Sequence, residues 1–143
     1  MKVFILCGGY GTRLDHEGTL IAKPMVRIGK DPILMHLIQT FHDQGFNDFV
    51  FCLGHKSKTI IDYFLKENKK YTKKIKSKKS YNEFYFKSKK LKFKGSLIFT
   101  GLKSGTGGRI KKAYNKLRLN EDFLMTYGDG LGNISIKKLI KFH

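Results

Sequence analysis

Cysteine, proline and acidic side chains are all scarce in this sequence. Its 143 residues include two cysteines, two prolines and eleven aspartates and glutamates. Cys7 and Cys52 both sit in strand-like apolar runs, so neither a disulfide framework nor a zinc site organises the fold. Both read as buried, inert thiols. No run of eighteen apolar residues occurs, so no helical membrane span is expected. The first apolar run, Val3 to Cys7, is too short for a signal-peptide core and ends at Gly8-Gly9. A cytoplasmic location is expected from these absences. The five histidines, His16, His36, His42, His55 and His143, show no metal-ligand spacing, and no internal repeat is visible.

What the chain does have is apolar content and positive charge. Hydrophobic residues make up 41% and aromatics 13%, enough for one domain with a core and too much for a disordered chain. Lysine and arginine number 29, giving a formal charge of +18. That balance favours an anionic partner: a nucleotide, a nucleic acid or an acidic surface. Only Arg13, Arg27, Arg109 and Arg118 are arginines, however, and the fork-shaped reader of phosphate and base edges is arginine. A lysine excess reads equally well as a solvated surface.

Apolar patterning predicts alternating strands and helices. Lys2 to Cys7 and Asp48 to Leu53 are strands buried on both faces, as in a parallel sheet. Between them, Ile33, Leu34, Leu37, Ile38 and Phe41 recur at helical spacing over Pro32 to Gln44, with Asp31 as N-cap, Pro32 in the first turn and Gly45 at the end. A second amphipathic helix is expected over Lys58 to Lys66, a third strand over Ser96 to Thr100, and a helix over Gly107 to Leu117. Phe123 to Thr126 follows as a fourth strand, then a helix capped by Ser135. This order predicts an α/β fold with a doubly wound, mostly parallel sheet. Such a sheet rarely ends in that last helix, so the sequence is expected to be the N-terminal part of a longer domain, incomplete at its C-terminus.

The stretch from Lys66 to Lys94 breaks the pattern. It holds thirteen lysines against Glu67 and Glu83, interleaved with Tyr71, Tyr81, Phe84, Tyr85, Phe86 and Phe93. Like charges at this density oppose compaction, so an irregular or hairpin excursion is expected, its aromatics covered by a partner subunit.

Four short motifs carry chemistry. Directly after the first strand comes Gly8-Gly9-Tyr10-Gly11-Thr12-Arg13-Leu14, whose backbone N–H groups can form an anion-binding concavity, with Arg13 as a planar fork. It is neither a Walker A loop nor a dinucleotide fingerprint. Lys23-Pro24-Met25 places an ammonium on a loop fixed by proline. Thr106-Gly107-Gly108-Arg109 opens a helix with small residues and a guanidinium. Tyr127-Gly128-Asp129-Gly130 sets a carboxylate at a strand's carboxyl end, where Mg²⁺ ligands occur beside phosphates. Taken singly, each also reads as an ordinary turn or helix start.

Taken together and in this order, the motifs resemble those of the sugar-phosphate nucleotidyltransferases, and more closely the glucose-1-phosphate cytidylyltransferases. The resemblance implies the reaction of CTP with α-D-glucose 1-phosphate to give CDP-glucose and pyrophosphate, in nucleotide-sugar and surface-polysaccharide synthesis. It implies that Gly8, Gly9, Gly11 and Thr12 cradle the nucleotide and that Arg13 stabilises the departing pyrophosphate. Lys23 would stabilise the phosphates near the reacting centre. Thr106, Gly108 and Arg109 would select the cytosine, and Asp129 would hold Mg²⁺. A homo-oligomer is implied for the full-length protein, with no nucleic acid or membrane partner.

Some positions depart from the family pattern. A Lys-Pro that usually precedes Lys-Pro-Met is Ile21-Ala22 here, and a Thr-Gly-Asp is Thr100-Gly101-Leu102. Acidic residues expected after Gly-Asp-Gly appear as Asn133 and Ser135. The family's second metal aspartate and sugar-phosphate contacts lie in a C-terminal half outside this sequence. Two alternatives stay open: a uridylyl- or thymidylyltransferase acting on another sugar phosphate, and a basic module that binds polyanions through Lys66 to Lys94.

Overall fold

The computed structural model describes residues 1–9, 21–78 and 81–143. Strand β1 (Lys2–Cys7) is followed by a 3-10 turn (Lys23–Met25), a two-stranded ribbon of β2 (Arg27–Ile28) and β3 (Asp31–Pro32), and helix α1 (Ile33–His42). Strand β4 (Asp48–Leu53) leads to helix α2 (Ser57–Asp62), which runs into a π-helical turn (Tyr63–Glu67). Strands β5 (Thr72–Lys78), β6 (Tyr81–Lys87) and β7 (Lys92–Phe99) come next, then helix α3 (Thr106–Leu117), strand β8 (Phe123–Tyr127) and helix α4 (Ile136–Phe142).

The main sheet has the order β5-β6-β7-β4-β1-β8. β1 pairs in parallel with β4 and β8, and β4 with β7, whereas β5, β6 and β7 pair antiparallel. The expected mixed α/β fold with a mostly parallel central sheet is therefore present. Its double winding follows from alternation along the strands. Val3, Ile5, Phe49 and Phe51 face one way and meet Leu34, Ile38 and Phe41 of α1, Ile60 of α2 and Ile136 of α4. Phe4, Leu6, Val50, Cys52 and Ile98 face the other way and meet Ala113, Ile110 and Tyr114 of α3. Both faces are covered, which is why β1 and β4 read as unbroken apolar runs.

Two helix ends follow the expected local chemistry and one does not. Gly45 takes φ +92° just past α1, a left-handed turn that favours glycine. The Ser135 hydroxyl accepts from Lys138 N–H at 3.3 Å and caps α4. Asp31 is not the cap of α1: it lies in β3, and Pro32 holds the cap position without a side-chain bond.

The lysine-rich stretch forms hairpin strands, as one of the two expected forms, but its buried phenylalanines find their cover within the chain. It builds β5, β6 and the start of β7, and Phe84, Phe86 and Phe93 lie in the chain's own core rather than awaiting another subunit. Phe84, Phe86 and Phe93 are at most 4% exposed. The Phe64 and Phe84 ring centroids stand 4.9 Å apart, and Phe86 stacks on Phe93 at 5.0 Å. Period-two alternation decides the outcome: Phe84 and Phe86 point inward, while Tyr85 and Lys87 of the same strand point out to water. Each buried phenylalanine contributes about 1.5–3 kcal/mol, more than spaced surface lysines lose by repulsion in water. Lys94 also pairs with Glu83 at 3.4 Å. Gly95 completes the fit, because a Cβ there would lie 2.3 Å from the Phe84 ring.

Phe84→Ala is therefore expected to cost about 3–5 kcal/mol. Urea denaturation of the variant reads this directly. Unchanged stability would return β6 to the status of a solvated excursion.

Candidate functional site

The chain crosses from β1 through α1 to β4 on one side, and from β7 through α3 to β8 on the other side of β1. Those crossovers run over opposite faces of the sheet. Strand order thus reverses between β1 and β8, and open α/β sheets bind ligands outside the carboxyl ends at such a point. A cavity of ≈ 560 Å³ opens there. Gly8 and Gly9 line it from the end of β1, Lys23 and Pro24 from the 3-10 turn, and Tyr127 and Asp129 from the end of β8. Lys103, Ser104, Thr106 and Arg109 close it from the β7–α3 side.

Sequence motifs far apart in the chain meet through small contacts. Pro24 and Met25 are buried, and the turn is closed by bonds from Met25 N–H to Ala22 O (2.8 Å) and from Val26 N–H to Lys23 O (3.1 Å). Pro24 rests directly on Gly128: a Cβ at Gly128 would lie 2.7 Å from Pro24 Cγ and 3.0 Å from Cys7 Sγ. Gly128 N–H also donates to Leu6 O at 3.0 Å, which extends the β1–β8 ladder. The absent side chain at Gly128 thereby lets the turn carrying Lys23 seat against the segment carrying Asp129.

Of the residues expected to act, the structure brings Gly8, Gly9, Lys23, Thr106, Arg109 and Asp129 to the cavity. Gly108 stands on the exposed first turn of α3, outside the lining. Gly11, Thr12 and Arg13 lie outside the described residues.

Arg109, for which the resemblance implies a part in selecting the cytosine, lines the cavity with its side chain engaged by the strand ends. Only 5% exposed, it uses its guanidinium within the protein. Nη1 donates to Leu53 O (3.2 Å), Thr100 Oγ1 (2.9 Å) and Gly101 O (2.7 Å). Nη2 donates to Gly8 O (2.6 Å) and Leu102 O (3.1 Å). The carboxyl ends of β1, β4 and β7 are thus tied to α3 through one side chain. Long helical side chains lean back toward the helix N-terminus, and that lean carries the guanidinium beneath the strand ends.

Lys103, Ser104 and Tyr127 also line the cavity, although the sequence assigned none of them a role. The loop after β7 is ordered by Ser104 Oγ donating to Thr100 O (2.7 Å) and Lys112 Nζ donating to Ser104 Oγ (2.8 Å). Gly101, at φ +99°, turns the chain into that loop. The Thr100-Gly101 pair signalled this turn, but nothing singled out Lys103 among so many lysines.

Lys23, Lys103 and Arg109 line the cavity with a single carboxylate, Asp129, so its field favours an anion. Burial raises the Cys7 thiol well above its usual range, with Cys52 and Asp129 adding to the effect. Burial pushes Cys52 up to about 12, against a smaller opposing pull from Arg109. Among the described residues, no group of three or more His, Cys, Asp or Glu side chains is arranged to hold a metal ion. No described helix is long and apolar enough to cross a membrane.

An α/β sheet with an anion-favouring cavity at its switch point defines a nucleotide-binding type of fold. Residues 2–143 match the family model described as nucleotidyl transferase, and the chain belongs to that family. It is 38% identical over its whole length to the glucose-1-phosphate cytidylyltransferase of Salmonella typhimurium, covering 56% of that protein. A probable glucose-1-phosphate cytidylyltransferase of Bacillus subtilis matches to the same degree, 38% over 143 residues. The mannose-1-phosphate guanyltransferase of Saccharomyces cerevisiae is 28% identical, with 34% of its length covered. Among solved structures, HddC of Yersinia pseudotuberculosis complexed with GMP-PN superposes with a TM-score of 0.68 at 29% identity, over 99% of this chain and 53% of HddC. The chain thus spans about half the length of the cytidylyltransferases it matches.

With both thiol pKa values raised, little thiolate exists near pH 8, and thiolate is the reactive form. A chromogenic disulfide reagent at pH 8 is expected to leave both cysteines of the folded chain unmodified and to titrate two thiols after denaturation. Rapid reaction of one native thiol would contradict their burial.

Proposed function

We propose that this chain is the nucleotide-binding part of a sugar-1-phosphate nucleotidyltransferase that uses CTP and α-D-glucose 1-phosphate to form CDP-glucose and pyrophosphate. The observation that carries this reading is the cavity at the β1–β8 switch point, where Gly8, Gly9, Lys23 and Asp129 converge. The preference for cytidine is supported by the higher identity to the two cytidylyltransferases than to the guanyltransferase.

In this reading a phosphate oxygen of the sugar 1-phosphate attacks the α-phosphorus of CTP, and pyrophosphate leaves in line. The attacking group is already ionised, so the protein supplies no covalent nucleophile and needs no general base. Positioning and charge neutralisation do the work. Gly8, Gly9, Gly11 and Thr12 cradle the nucleotide, and Lys23 neutralises charge at the reacting phosphate. Arg13 holds the leaving pyrophosphate. Thr106 and Gly108 stand at the base end.

Asp129 is an exposed carboxylate on the cavity wall. One protein carboxylate suits Mg²⁺ carried on a triphosphate, because that ion keeps waters and phosphate oxygens as its other ligands. Asp129 would hold it, and the ion would neutralise phosphate charge.

Calorimetric titration with CTP, UTP and ATP in the presence of Mg²⁺ tests the assignment. CTP is expected to bind most tightly. Equal affinity for all three would sink the cytidine assignment, and tighter UTP binding would favour a uridylyltransferase.

Arg13→Ala is expected to weaken the triphosphate by about 1.5–3 kcal/mol, the worth of a hydrogen bond to a charged group, and the monophosphate far less. Equal losses for CTP and CMP would make Arg13 a turn residue alone.

A further inference from the structure

The Gly8 carbonyl receives two donors: Arg109 Nη2 at 2.6 Å and His55 N–H at 3.3 Å. A trans peptide holds its C=O and the following N–H on opposite sides. With the Gly8 carbonyl drawn inward to the guanidinium, the N–H of Gly9 turns away from it. Gly8 is buried, whereas Gly9 is exposed and lines the cavity. The orientation of one peptide plane therefore decides whether a donor or an acceptor meets an anion there. An inverted plane would offer a carbonyl oxygen and repel phosphate.

Steric facts point the same way. A Cβ on Gly8 would lie 2.3 Å from Arg109 Nη1 and 2.4 Å from Cζ, and one on Gly54 would lie 2.3 Å from Nη1. A Cβ on Gly9, by contrast, would meet nothing within 4 Å. The two glycines of the loop thus have different reasons to be glycine. Space at Gly8 is taken by Arg109, while the side of Gly9 is open.

We propose that Arg109 is a positioning residue that fixes the Gly8–Gly9 peptide with Gly9 N–H available to a phosphate oxygen, and that Gly8 is glycine to admit the Arg109 guanidinium. This rests on the nucleotide reading above and replaces base recognition as the role of Arg109. A buried guanidinium suits the task, since its planar fork reaches several carbonyls at once and charge-assisted bonds are strong. The same fork fastens Gly101 and Leu102, so it also sets the loop that carries Lys103.

A double-mutant cycle tests this. Gly8→Ala, Arg109→Ala and the pair are compared by thermal midpoint and by titration with CTP, UTP, CMP and cytidine. Each single change is expected to weaken CTP by about tenfold or more, the scale of one charge-assisted bond. Removing Arg109 opens room for the new methyl, so the pair is expected to be no worse than either single variant. Losses should be equal for CTP and UTP, smaller for CMP and absent for cytidine. Arg109→Lys keeps a buried cation but not the fork; it secures a folded variant and should show the same dependence on phosphate number. Multiplying effects in the pair would overturn the shared role of Gly8 and Arg109, and a loss specific to CTP would restore base recognition. If the unaltered chain binds no triphosphate, the nucleotide reading fails and the cradle role with it. The thermal cycle then still decides why Gly8 is glycine.

Discussion

The candidate site depends on a positive charge buried beneath the ends of three strands. Placing a guanidinium at 5% exposure is costly unless its donors are satisfied, and here backbone carbonyls from Gly8, Leu53, Gly101 and Leu102 and the Thr100 hydroxyl meet it. The Gly8 and Leu53 carbonyls each accept one backbone N–H, from His55 and Thr100, and a carbonyl oxygen has room for a further donor. Arg109 supplies that further donor from α3. One side chain therefore satisfies the strand ends, joins the sheet to its crossover helix and lends the cavity floor a positive field.

A second contact completes the other wall. Pro24 on Gly128 joins the turn after β1 to the segment after β8, the two strands between which the chain reverses its winding. Both contacts depend on a glycine, Gly8 under Arg109 and Gly128 under Pro24. In both, a missing Cβ lets one backbone approach another group closely, so Lys23 and Asp129 are set by packing rather than by a bond between them.

Much of this was legible in the sequence, and the physical reasons are specific. β1 and β4 were readable because burial on both faces leaves unbroken apolar runs. The place of Lys23 and Asp129 on the cavity wall was readable because a proline turn and a glycine-flanked carboxylate stand out after strands. Phe84, Phe86 and Phe93 were harder, because the surrounding lysines conceal the alternation that buries them in the chain's own core. Arg109 stood out as a cation at a helix start, but its direction depends on a rotamer and on space beside Gly8 and Gly54, which linear spacing does not encode. Lys103 joins the cavity only because Gly101, Ser104 and Arg109 hold its loop in place.

The proposed nucleotide site lies at the carboxyl ends of β1 and β8, where the cavity holds Gly8, Gly9, Lys23 and Asp129. A crystal structure of the chain with a non-hydrolysable CTP analogue and Mg²⁺ tests this most directly. The account predicts the triphosphate against Gly8–Gly9, between Lys23 and Asp129, with Arg109 still bonded to the Gly8 carbonyl. A nucleotide seated elsewhere, or an Arg109 that has left Gly8 to contact the base, would contradict it.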